Sequence, residues 1–127
     1  MDTRTRILSV TSIAFALIIA AASPALAEGS FTSSISNASQ GFLSRAWYDS
    51  QDDAATTVVY FSNCNRGSVT VGMYRQVTGI DPNEGNKTLC GGLYGNWGND
   101  LSSAYYRFKL NTAGLQGFNA GNMEVSY

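Results

Sequence analysis

An all-β fold is predicted: a single antiparallel β-sandwich of about six or seven short strands, closed by one disulfide. Three observations predict it. Apolar residues recur with a period of two, not 3.6, along most of the chain. Glycine, asparagine and proline punctuate these runs at spacings of about a dozen residues. The two cysteines, Cys64 and Cys90, each fall beside a predicted strand, so a bridge would tie the end of one strand to the start of another.

Each strand has its own justification. Phe31 to Ser36 reads as an edge strand. Phe42 to Tyr48 places Phe42, Ser44, Ala46 and Tyr48 on one side. Thr56 to Phe61 (TTVVYF) is β-branched or aromatic throughout, which marks a more deeply buried strand. Val69, Val71 and Met73 alternate with Thr70, Gly72 and Tyr74. Lys87 to Tyr94 is a shorter candidate. Tyr106, Phe108 and Leu110 alternate with Tyr105, Arg107 and Lys109. Met123, Val125 and Tyr127 alternate with Glu124 and Ser126. Turn chemistry separates these runs. Asn63-Cys64-Asn65-Arg66-Gly67 fits a tight hairpin from TTVVYF to the Val69 strand. Asp81 to Asn86, Gly95 to Asp100 and Asn111 to Gly114 read as loops. A short helix is least excluded over Asp49 to Ala55. Trp47, Trp97, Tyr60, Tyr106 and Phe108 are the large side chains available to fill the interior.

Residues 1–27 read as a cleaved secretory signal peptide, and residues 28–127 as the β-sandwich domain. Arg4 and Arg6 precede a mostly apolar run from Ile7 to Ala22. Pro24 then breaks the run, and Ala25-Leu26-Ala27 offers small residues at a cleavage site before Glu28. The run holds Ser9, Thr11 and Ser12 and is shorter than the roughly 20 apolar residues of a spanning helix. The membrane therefore enters only through the signal peptide before cleavage, and the product is expected to be secreted and extracellular. An oxidising destination favours a Cys64–Cys90 bridge. In the chain-entropy picture a loop of that length contributes roughly 3.5 kcal/mol.

Composition excludes several functions. The leader takes Arg4, Arg6 and Asp2 from totals of eight basic and nine acidic residues, so the remainder carries six and eight, a net charge of −2. Nucleic acid is not the expected partner, since its binding requires a basic face. The absence of histidine removes Ser-His-Asp and Cys-His catalysis and the usual zinc sites. Ser, Thr, Asn and Gly together make 42 of the 100 residues after the leader, so the surface is mostly hydroxyl and amide.

The carboxylates form two loop groups, Asp49 with Asp52 and Asp53, and Asp81 with Glu84. Paired carboxylates hydrolyse glycosides when they face each other across a cleft. Nothing in the sequence brings a pair together, and solvated loop acids are the expectation. Calcium at Asp49, Asp52 and Asp53 is the competing use of the same oxygens. The Asp81 loop misses the EF-hand pattern, with glycine one place early and Gly92 at the twelfth position. No cofactor and no metal are expected. Asn37-Ala38-Ser39 and Asn86-Lys87-Thr88 are glycosylation sequons only where a host uses them.

The aromatics carry the functional expectation. Neighbours in a strand face opposite ways, so Tyr105 should be exposed when Tyr106 is buried, and one of Trp47 and Tyr48 should be exposed. Trp47, Tyr94, Trp97 and Tyr105 are the candidate binding residues. Exposed rings beside amides stack on sugars or anchor a protein.

Arg45-Ala46-Trp47, Cys64, Val71-Gly72-Met73-Tyr74-Arg75, Lys87-Thr88-Leu89-Cys90, Trp97-Gly98 and Tyr105-Tyr106-Arg107-Phe108 occur in an order that resembles small exported bacterial β-sandwich proteins of unassigned function. The resemblance spans roughly Gly41 to Leu110 and implies fold and export more than chemistry. Ser103-Ala104-Tyr105-Tyr106 resembles the lactococcin 972 type of exported bacteriocin, from which the cysteine pair and the greater length depart. The expected function is a non-catalytic secreted binding module for a protein or a cell-envelope glycan, not an enzyme. The alternative is a secreted antibacterial factor.

Overall fold

A computed structural model describes residues 29–51 and 54–127. The expected signal peptide, together with Asp52 and Asp53, lies outside the described residues. The described chain is all-β, with eight strands and no helix: β1 (Ser30–Ala38), β2 (Trp47–Asp49), β3 (Val58–Cys64), β4 (Val69–Arg75), β5 (Asn83–Leu89), β6 (Tyr94–Asn96), β7 (Ala104–Leu110) and β8 (Phe118–Ser126). They form two four-stranded sheets. The first has the order β1-β8-β3-β6, the second β2-β7-β4-β5. All paired strands are antiparallel.

The period of two builds the interior. Val59 and Phe61 on β3, and Phe118, Ala120, Met123 and Val125 on β8, point inward from the first sheet. Val69, Val71 and Met73 on β4, and Tyr106, Phe108 and Leu110 on β7, meet them from the second. Phe61 joins the layers, with its ring 5.4 Å from Phe108 across the gap and 5.9 Å from Phe118 in its own sheet. Each such side chain removed from water contributes roughly 1.5–3 kcal/mol.

Both lateral openings of the sandwich are closed. On one side, the Trp47 ring lies 5.8 Å from Phe31 and 5.9 Å from Tyr127, and the Arg45 guanidinium sits 4.2 Å over Phe31. On the other side, the Cys64–Cys90 disulfide joins the end of β3 to the residue after β5, and Trp97, just after β6, reaches back to β5. Trp97 donates its indole N–H to the Gly85 carbonyl at 2.9 Å. Its ring covers Gly95, where a Cβ would come within 2.5 Å of Trp97 Cζ3. Glycine there is a packing requirement of the tryptophan.

Several expectations are corrected. The Asn63–Gly67 segment is not a hairpin within one sheet: β3 pairs with β6 and β8, whereas β4 pairs with β5 and β7. The segment is a corner that carries the chain between layers, helped by Asn63 at φ 53°. Phe42–Tyr48 contributes strand only from Trp47, plus an isolated bridge from Leu43 to Lys109. Lys87–Tyr94 is divided, because Cys90 to Leu93 forms a tight turn with Gly91 and Gly92 at φ 63° and 84°. That left-handed pair is what a two-residue turn of this kind demands. Asn83–Asn86 is strand, not loop, and Gly95 and Asn96 of the expected Gly95–Asp100 turn belong to β6. Of the expected core aromatics, Trp47, Tyr106 and Phe108 are buried. Tyr60 faces outward, and Trp97 is half-buried on the seam.

Candidate ligand-binding face

The alternation that buries Val59, Phe61, Met123 and Val125 sends their neighbours to the outer face of the first sheet. Register then sets them in rows. Tyr94 pairs with Tyr60, Tyr60 with Glu124, and Glu124 with Thr32. The next row holds Asn96, Val58, Ser126 and Ser30. Directly opposed side chains on one face have Cβ atoms roughly 4.5–5.5 Å apart. Two phenol rings and a carboxylate therefore stand side by side across three strands. A hollow of about 300 Å³ lies among them, lined by Val58, Tyr60, Tyr94, Glu124 and Ser126. Tyr94 is 60% exposed.

This face combines apolar ring surface with acceptors and hydroxyls. The C–H face of a pyranose complements the negative face of a phenol ring. Sugar hydroxyls have Glu124 as a strong acceptor, and Ser126 and the phenols as donors or acceptors. Glu124 is the single carboxylate lining the hollow, so the paired arrangement that hydrolyses glycosides is not assembled there.

The expected binding residues fall in four different places. Tyr94 is on this face. Tyr105 is exposed, as alternation requires, but on the outer face of the second sheet. Its ring lies 5.2 Å from Tyr48 at 67°, so each ring is engaged with the edge or face of the other. Trp47 is buried at 2% exposure and belongs to the core, and Tyr48 is the exposed member of that neighbouring pair. Trp97 is fixed by Gly85 and Gly95. Tyr60, expected in the interior from the sequence, and Glu124 complete the face, and neither is among the expected binding residues. The signal was present, because Tyr60 lies between Val59 and Phe61 and Glu124 between Met123 and Val125.

The loop carboxylates are not a pair. Asp81 holds Arg107 at 3.3 Å and accepts from the Val77 amide, while Glu84 holds Arg75 at 3.3 Å. Asp49 is no solvated loop acid: it is 4% exposed and accepts a hydrogen bond from the Thr57 hydroxyl. Among the described residues no group of three or more acidic or sulfur ligands gathers as a metal site. In the core, Tyr106 donates to the Ser102 carbonyl at 2.6 Å. Burial foremost, then the Glu84 charge, pushes its phenol up from 10.0 to about 12, with Arg75 opposing and Asp49 adding to the rise.

On the outer face of the second sheet, Tyr74 lies over Gly72. Its hydroxyl accepts from Asn111 Nδ2 at 2.9 Å and Asn83 Nδ2 at 3.3 Å, and Lys109 Nζ stands 4.5 Å from its ring centre. That network uses its polar atoms on itself. No protein-family model, curated protein or solved structure matches the chain.

Proposed function

We propose that the protein is a non-catalytic binding module acting outside the cell or at its envelope, and that it holds a glycan on the outer face of the first sheet. The observation that carries this reading is the in-register row of Tyr94, Tyr60 and Glu124 beside a hollow of about 300 Å³. Ring surface, carboxylate and hydroxyl occur together there, whereas the Tyr48–Tyr105 pair offers rings already turned on each other. The surroundings support an extracellular setting. The cysteines are bridged, and among the described residues no helix is long and apolar enough to cross a membrane.

Glycan-array screening followed by titration of the best soluble hit tests the reading. Tyr94→Ala should weaken binding at least fivefold, in line with roughly 1 kcal/mol or more for an aromatic contact. Tyr105→Ala should leave it unchanged. Equal effects of the two substitutions, or no glycan bound by the intact protein, would contradict the proposal.

A further inference from the structure

Tyr60 borders more than the hollow beside Tyr94. A second hollow of about 350 Å³ also has Tyr60 in its wall, and extends along β3 past Ser62 to Arg66, between the Asn63–Gly67 corner and the Gly91-Gly92 turn. Val58, Tyr60 and Ser62 are successive outward residues of β3, so the two hollows follow one strand. The four residue-to-residue steps from Val58 to Ser62 span about 13 Å, and the corner extends the path further, beyond the length of one sugar ring.

The ends of this path differ in charge. Glu124 lines the Tyr94 end and Arg66 the corner end. Arg66 is held in place by donating to the Gln116 carbonyl at 2.7 Å and the Asn65 carbonyl at 3.3 Å. A guanidinium has five N–H donors, so others remain for a ligand. Among the described residues no carboxylate forms an ion pair with Arg66. At Gly91 and Gly92 the left-handed backbone carries no side chain, which leaves that wall low.

Resting on the glycan reading above, we propose that the ligand is an acidic glycan laid along β3. A ring without charge stacks on Tyr94 and Tyr60, and a carboxylate-bearing unit meets Arg66. Glu124 repels that carboxylate from the other end, which fixes the direction of the chain. Arg66 is the specificity-determining residue of this groove.

Titrations with chitotetraose, which is neutral, and a hyaluronan tetrasaccharide, in which every second sugar is a uronate, provide the test. The acidic chain should bind about fivefold more tightly at low salt, the size of one exposed ion pair. Arg66→Gln should weaken the hyaluronan tetrasaccharide about fivefold more than chitotetraose and so abolish that preference, and raising the salt should erode it in the unmodified protein. Equal affinity for the two chains, or a preference that survives Arg66→Gln, overturns the proposal while the glycan reading stands. Binding of neither chain overturns the proposal, and the glycan reading falls with it only if the glycan array also returns no ligand.

Discussion

Tyr106, fully buried on β7, keeps its phenol neutral through burial and the nearby charge of Glu84. Its pKa of about 12 exceeds the ordinary 10.0, so between those values the unfolded chain releases a proton that the folded chain retains. The contribution of the neutral phenol is complete below about pH 10 and is lost as the pH rises towards about 12. Thermal unfolding should show it: Tyr106→Phe, which loses the bond to Ser102, should cost about 1 kcal/mol at neutral pH and then fall less steeply in Tm than the parent above about pH 10. Identical alkaline slopes would contradict the assignment. At this scale the alternation was readable wherever both strand faces had contrasting partners, as in Val69, Val71 and Met73 against Thr70 and Tyr74. Tyr60 was misplaced because a large ring was given to the interior on size alone, against the phase set by Val59 and Phe61. The role of Trp97 was hidden for another reason. It depends on two glycines distant in sequence, Gly85 and Gly95, and no local period reports such a contact.

The elements divide by where they sit in the sheets. β4, β7 and β3 are interior strands, and their patterns were legible from one buried face. β5 is an edge strand whose single buried residue is Leu89. Asn83, Gly85 and Asn86 there carry turn chemistry, so the sequence resembles a loop although the backbone pairs with β4. The Asn63–Gly67 corner failed differently: its residues specify a reversal, and a reversal within a sheet and a crossing between sheets use the same residue types. The choice is made by packing, and the disulfide then secures it, joining the corner at Cys64 to the turn at Cys90 with Cα atoms 6.0 Å apart. Replacing both cysteines with alanine should lower stability by roughly 3 kcal/mol in denaturant unfolding. A loss near zero would show that the corner and turn are held without the bridge.

For the molecule as a whole, the two layers give two outer faces that differ in how their polar groups and rings are engaged. The first sheet presents tyrosines, hydroxyls and Glu124. The second presents Tyr48 and Tyr105 turned on each other, Arg107 paired with Asp81, and Tyr74 with Lys109 amid a self-satisfied amide network. The sandwich was legible in the sequence because period-two runs, turn spacing and a cysteine pair agree on it. The binding face was not, since it arises when β6, β3 and β8 align residues far apart in the chain. Backbone amide NMR spectra of the isotope-labelled protein, recorded while the tightest soluble glycan is added, test that face most directly. The predicted result is saturable shifts at Val58, Tyr60, Tyr94, Glu124 and Ser126, with Tyr48, Tyr105 and Lys109 unmoved. Saturable shifts centred on the second sheet, with the Tyr94 row silent, would contradict it.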